Sequence, residues 1–249
     1  MAVWPVLDEP VIGAPRPDER TTGVGAASGA VVVGVVGAVG GVGTSTFAAV
    51  LAARLARRTA TVLVDLDPAS AGVDLLLGLE QVPGARWPDL AGARGAVDGR
   101  QLLDLLPRWG RCAVLGPSVD PGGGEPEAAV VEDVLAALAR ECGAVVVDLG
   151  RDGTRVACDV VLLVAPRTFA GVTGALRVRP ATRAALVVRA RGGLGTAQLA
   201  RTLALPVAAV VRDDGRLARG VEHGGLRTDG RVGRAARTVA TALERGAPW

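Results

Sequence analysis

An unbroken apolar run, Ala30–Val36, passes directly into a glycine-rich turn, Gly37–Gly43, and then into a segment with Phe47, Val50, Leu51 and Leu55 at helical spacing. This succession constrains the fold more than any other feature. A continuous Val-rich run suits a strand buried on both faces. The spacing that follows predicts an amphipathic helix over Thr44–Arg58. The alternation then repeats, with strands expected at Ala60–Leu66, Arg111–Leu115, Ala144–Asp148, Val160–Ala165, Ala184–Arg189 and Val207–Val211, and helices at Pro126–Glu141 and Arg231–Arg245. Strands alternating with helices imply βαβ units, hence an α/β fold with a mostly parallel, doubly wound sheet. Ligands of such sheets sit beyond the carboxyl ends of the strands.

The chain of 249 residues, 49% hydrophobic, is long enough for one sizeable α/β domain. Residues 1–29 carry prolines at 5, 10, 15 and 17 and no periodicity, which predicts a disordered leader ahead of a domain over 30–249. No run reaches the roughly 18 apolar residues of a membrane span, and the N-terminus lacks a basic segment followed by an apolar one, so a cytoplasmic location is expected. Cys112, Cys142 and Cys158 are scattered and read as core residues in a reducing compartment. All 28 basic residues are arginine. Residues 1–150 hold 11 Arg against 18 acids and residues 151–249 hold 17 Arg against 7 acids, an asymmetry that can mark a nucleic-acid or acidic-membrane surface. With two Phe and four Trp, stacking on single-stranded bases is not expected. His223, the only histidine, makes neither a metal cluster nor a catalytic triad.

The segment Gly37-Ala38-Val39-Gly40-Gly41-Val42-Gly43-Thr44-Ser45-Thr46 joins a strand to a helix. Glycines let the backbone approach a phosphate, and N–H groups at a helix N-terminus attract anions. Ser45 or Thr46 would then place a hydroxyl on Mg²⁺. A dinucleotide loop competes, because Asp65 ends the next strand where a ribose-binding acid would sit. Yet a GxGxxG frame starting at Gly41 puts its last glycine on Thr46. A purely structural glycine turn is the third reading.

On these residues the chain resembles the MinD/ParA family of P-loop proteins. Gly40-Gly41-Val42-Gly43-Thr44-Ser45-Thr46 is similar to the family's deviant Walker A motif, KGGxGKTT, with Val39 at the signature lysine and Thr44 at the general one. Val64–Gly78 resembles the DxDP stretch with its GxDxLLG continuation, and Val145–Gly150 the Walker B strand. Val160–Thr173 and the passage from Leu205-Pro206 to Arg219-Gly220 resemble later strand–helix units, so the likeness spans about residues 30–246. Arg86-Trp87-Pro88-Asp89-Leu90 and the lysine-free loop are similar to the actinobacterial CpaE-like branch, which includes septum-site-determining (Ssd) and TadZ-like proteins. Relatives of that branch tend to carry a receiver-like domain ahead of the P-loop domain.

The resemblance implies ATP and Mg²⁺ as ligands. Gly40, Gly41, Val42, Gly43, Thr44, Ser45 and Thr46 would bind the nucleotide, and Ser45, Asp65 and Asp148 would lie on the metal side. Asp67 would position the attacking water, with Asp148 completing the catalytic pair; the alternatives are a turn started by Asp67-Pro68 and a helix-capping role for Asp148. Without a positioned lysine, hydrolysis should be weak or lost. Arg151 and Arg155 are the nearby cations the sequence offers, with surface solvation as their alternative role. Arg189 stands where the family's base-reading Asn is common.

The expected function is spatial positioning or regulation of septum formation or of secretion/pilus assembly. It would act through protein partners at the septum or membrane and through a nucleotide-dependent homodimer. An active switch ATPase that draws its charge from arginine or a partner is one alternative, and a non-specific DNA binder is another. The last helix should pack its Val232, Ala235, Ala236, Val239, Ala240 and Leu243 face on the sheet, with Arg234 and Arg237 outward, rather than insert into lipid.

Overall fold

In the computed structural model the described residues are 29–91, 97–117, 125–151, 156–178, 180, 182–214, 225–246 and 249. Residues 1–28 of the expected leader, Arg155, His223 and the end of the passage reaching Gly220 lie outside them.

Eight strands form one sheet: β1 Val31–Gly37, β2 Thr61–Asp65, β3 Arg108–Trp109, β4 Cys112–Leu115, β5 Ala144–Asp148, β6 Val160–Pro166, β7 Ala184–Arg189 and β8 Val207–Val211. Their order is β3-β4-β2-β5-β1-β6-β7-β8. Every pairing is parallel except β3 with β4. The helices are α1 Thr44–Leu55, α2 Val73–Leu77, α3 Gly99–Leu105, α4 Ala128–Glu141, α5 Phe169–Val178, α6 Thr196–Leu203 and α7 Gly230–Glu244, with a 3₁₀ turn at Trp87–Leu90.

The predicted strands all form, and the two faces of the sheet explain their composition. Val33, Val35 and Val146 pack under α1 and α7, whereas Val36, Val145 and Val147 pack under α4 and its neighbours. Alternate residues are thus buried on opposite faces, which leaves the middles of these strands apolar. The final helix packs on α1 and β8 through Val232, Ala235, Ala236, Val239 and Ala240, with Arg234 and Arg237 exposed, as its pattern predicts. Helix α1 ends at Leu55 rather than Arg58. There the Arg57 and Arg58 N–H groups turn back three residues, to Arg54 and Leu55, and tighten the last turn. The short elements α2, α3 and β3 were not legible, because five, seven and two residues are too few to show a period. Among the described residues no helix is long and apolar enough to cross a membrane.

Strand β1 lies between β5 and β6, and the chain leaves it towards β2 on one side while β6, β7 and β8 build out the other. Such a reversal opens a crevice at the carboxyl ends of the strands. The turn after β1 sits there, next to the ends of β5 and β6.

Helix α5 closes in on this turn. A Cβ on its Gly174 would collide with the Ala38 carbonyl oxygen and approach Val39 Cγ1 to 3.3 Å. Gly174→Ala should therefore lower stability by about 1–3 kcal/mol, outweighing the ~1 kcal/mol that alanine gains in helix propensity. An unchanged urea midpoint would show that α5 can move aside.

Candidate nucleotide site

The glycine turn connects β1 to α1 with most of its polar groups unpaired. The Gly37 N–H donates to the Gly150 carbonyl at 2.7 Å and the Ala38 N–H to that of Val164 at 2.9 Å, which fixes the start of the turn on β5 and β6. The next N–H to find a carbonyl is that of Phe47, which donates to Gly43 at 3.0 Å. Among the described residues, the N–H groups of Val39 through Thr46 have no backbone acceptor, and no side chain caps α1. Gly43 caps this helix at φ 91°, a left-handed conformation that favours glycine. The result is a row of free donors at the positive end of a helix, a chemistry suited to phosphate oxygens.

The two positions where a lysine would stand face inward. Val39 is half-buried and packs against the core. Thr44 is buried at the first position of α1, and its hydroxyl fills the space that a Gly37 Cβ would need. The loop itself therefore carries no cation.

Three carboxylates gather beside it. Asp148 ends β5 with no exposure. Its Oδ1 accepts from the Gly150 N–H at 3.2 Å, while Oδ2 has no partner. Burial pushes its carboxyl up to about 6, the Ser45 hydroxyl and the Gly150 N–H drawing it down and Asp67 raising it.

Asp65 lies directly across from Asp148 in the β2–β5 register. It is raised to about 7 by burial and then by Asp148, against the pull of the Asp67 and Val73 N–H groups. Its Oδ1 accepts from Asp67 N–H at 2.9 Å and its Oδ2 from Val73 N–H at 2.9 Å. Both oxygens thus tie down the loop that follows β2. Asp67 starts the turn that follows β2. Its Oδ1 accepts from the Ala69 N–H at 3.0 Å in a tight turn. Its carboxylate also covers Gly150, at φ 61°, where any Cβ would collide with it.

Two arginines reach the turn from outside. Arg151 brings Nη1 to 3.6 Å and Cζ to 3.9 Å from the point where a Gly40 Cβ would stand. Arg189, at the end of β7, brings Nη1 to 3.9 Å from the equivalent point at Gly43, while its Nη2 donates to Asp213 at 3.2 Å. Arg191 shares the same carboxylate at 3.6 Å. Burial lowers the Arg189 guanidinium, and Asp213 raises it again. The sequence offered Arg151 as a nearby cation, with surface solvation as its alternative, and Arg189 only as a departure from the family pattern.

One pair escaped sequence reasoning entirely. Arg86, 9% exposed, forms an ion pair through Nε with Asp74, 3% exposed. Its other nitrogens donate to the Gly84, Leu79 and Val82 carbonyls at 2.9, 3.0 and 3.2 Å. The neighbouring Trp87 donates its indole N–H to the Asp65 carbonyl at 2.7 Å. The GxDxLLG and RWPDL stretches are thus two halves of one buried clasp at the end of β2. The signal available was a lone acid inside the apolar run Val73–Leu77.

The described chain superimposes on solved structures over nearly their whole length. It matches a ParA family ATPase from Chlorobium tepidum with a TM-score of 0.73 at 17% identity, covering 86% of this chain and 98% of that one. It matches the cell division ATPase MinD of Pyrococcus furiosus with 0.73 at 19% identity, covering 87% and 99%. The fold is that of the MinD/ParA P-loop ATPases. The septum site-determining protein MinD from Pyrococcus horikoshii, complexed with Mg-ADP, follows at 0.72 and 16% identity, over 88% and 97%. No protein-family model matches the chain. In sequence it is 40% identical, over 229 residues, to an uncharacterized protein of Mycobacterium tuberculosis found in two strains; the match covers 86% of this chain, which spans 64% of that relative's length.

Proposed function

We propose that this chain is the P-loop unit of a MinD/ParA-type positioning or regulatory protein of the CpaE-like branch. It binds a magnesium nucleotide at Gly40–Thr46 and hydrolyses it slowly or not at all. The bound state governs engagement with a protein partner of the division septum or of a secretion/pilus machine. The observation that carries the reading is Asp148, a fully buried carboxylate with an unpartnered oxygen, set beside the unpaired N–H groups of the glycine turn. A buried carboxylate without a cation is costly, and a row of donors without an acceptor wants an anion. A metal–phosphate ligand satisfies both.

The residues fit such a ligand. Ser45 and Asp148 would hold Mg²⁺, which when bound neutralises phosphate charge. The turn's N–H groups would grip the phosphates, and Asp67, fixed over Gly150, would orient a water. Neither Val39 nor Thr44 offers charge to a transition state. One missing donor of this kind costs about 3–4 kcal/mol, roughly 10²–10³-fold in rate, which supports a slow switch rather than a working ATPase.

Isothermal titration with Mg-ATP and Mg-ADP is expected to show saturable binding that weakens at least tenfold in Asp148→Asn and when EDTA replaces Mg²⁺. Absence of heat with both nucleotides at millimolar concentration sinks the nucleotide site. Rapid ATP turnover, abolished in Asp67→Asn, sinks the slow switch.

A second reading, binding of non-specific DNA, draws support from Arg212, Arg231 and Arg234, which line one depression of about 300 Å³ between β8 and α7. Retention on duplex DNA that falls steeply with salt would favour it.

A further inference from the structure

We propose that Arg151 and Arg189 supply, from the ends of β5 and β7, the positive charge that the glycine turn lacks, so that the site takes a nucleoside di- or triphosphate between two guanidinium groups. This rests on the nucleotide site proposed above and names the residues that make it work.

The need for such charge follows from the turn's surroundings. Asp65, Asp67 and Asp148 crowd its inner side, and no cation stands at Val39 or Thr44. A polyphosphate entering that field is repelled unless cations face it from elsewhere. Two do. Arg151 follows Gly150, whose carbonyl holds the start of the turn, and its guanidinium lies 3.6 Å from the Gly40 Cβ position. It forms no ion pair with any carboxylate among the described residues. It is exposed, and it leans on the loop rather than standing free in solvent.

Arg189 approaches the other limb, where α1 begins. Its side chain is 15% exposed and is oriented by Asp213, which takes Nη2 and leaves Nη1 towards Gly43. Gly40 and Gly43 have no side chain to separate the guanidinium groups from the backbone donors. A phosphate in the turn can therefore meet N–H groups of both kinds. Arginine suits this arrangement because its planar fork binds phosphate oxygens in pairs and stays charged when partly buried. A loop lysine would act from within the turn as a point charge; these arginines act from neighbouring strands. Their placement depends on β5 and β7 lying on opposite sides of β1.

The test is isothermal titration of the full chain with Mg-ADP and Mg-ATP at fixed ionic strength. Wild type is compared with Arg151→Ala, Arg151→Lys, Arg189→Ala and, as a charge-matched control, Arg140→Ala. Arg140 lies in the last turn of α4, next to Ala139, whose carbonyl accepts from the Ala30 N–H at the amino end of β1, the end of the strand opposite the glycine turn. Both loop-facing alanine variants should bind at least tenfold more weakly, Arg151→Lys should fall between, and Arg140→Ala should match wild type. Circular dichroism checks that each variant is folded. An Arg151→Ala or Arg189→Ala protein that binds within twofold of wild type overturns the assignment of that arginine while leaving the nucleotide site standing. An equal loss in Arg140→Ala reduces the effect to net charge and overturns both assignments. A wild-type protein that binds neither nucleotide removes the site itself.

Discussion

Replacing Arg86 by methionine is expected to destabilise the protein by about 3–5 kcal/mol, the range for breaking a buried ion pair from one side. The change leaves Asp74 at 3% exposure without its cation, when its Oδ1 already has no partner. It also frees the Gly84, Leu79 and Val82 carbonyls that the guanidinium satisfies. Burial raises the Asp74 carboxyl and Arg86 pulls it down, so the variant's carboxyl should titrate higher still. Its deficit should narrow as pH falls and the carboxyl protonates. The double variant Asp74→Leu, Arg86→Met should recover most of the loss, since an apolar pair of similar volume often equals a buried ion pair. Urea unfolding of the four proteins in the cycle measures this. A loss below about 1 kcal/mol in Arg86→Met would show that the clasp is not what holds the segment. The same loop carries Trp87, whose indole pins the end of β2, so weaker binding at the proposed nucleotide site should accompany the instability.

The ligand-free protein should become more stable as pH falls from 8 to 5, opposite to most proteins. Asp65 and Asp148 are raised from 3.8 to about 7 and about 6, chiefly by burial. Between the unfolded value and these folded values the native state holds more protons than the unfolded chain, so stability declines as pH rises through that window. At ~1.4 kcal/mol per pH unit, the loss between pH 4 and pH 8 is roughly 3–7 kcal/mol, depending on how far the two share one proton. Asp229 is shifted the other way, to about 2 by Arg227, and acts below the window. Chemical denaturation at pH 5, 6, 7 and 8 should show the decline in wild type and a shallower one in Asp148→Asn. Parallel curves would mean that Asp148 is solvated. Mg-nucleotide should flatten or reverse the trend, because a bound cation favours the ionised carboxylates.

These effects separate what neighbours in sequence dictate from what the sheet order dictates. The strand Val31–Gly37, the turn and helix α1 were legible because burial on two faces, glycine spacing and helical period are local signals. That Asp148 ends a strand and Asp67 lies in the turn after one was legible for the same reason: each ends or follows an apolar run. Not legible were the partners of Asp65 two and eight residues away, Asp67 and Val73, whose N–H groups turn towards its carboxylate once the loop folds.

The chain's residues alone determine an α/β sheet with a phosphate-type turn and no lysine to serve it. The resemblance to MinD and ParA proteins added the expected roles. Tertiary structure alone decided that Asp74 meets Arg86 and that Asp148 keeps an unpaired oxygen. It also decided that Arg151 and Arg189 converge on Gly40 and Gly43 from either side. The physical reason is that a parallel sheet places side by side the ends of strands far apart in the chain. No local pattern encodes which guanidinium will stand beside which glycine.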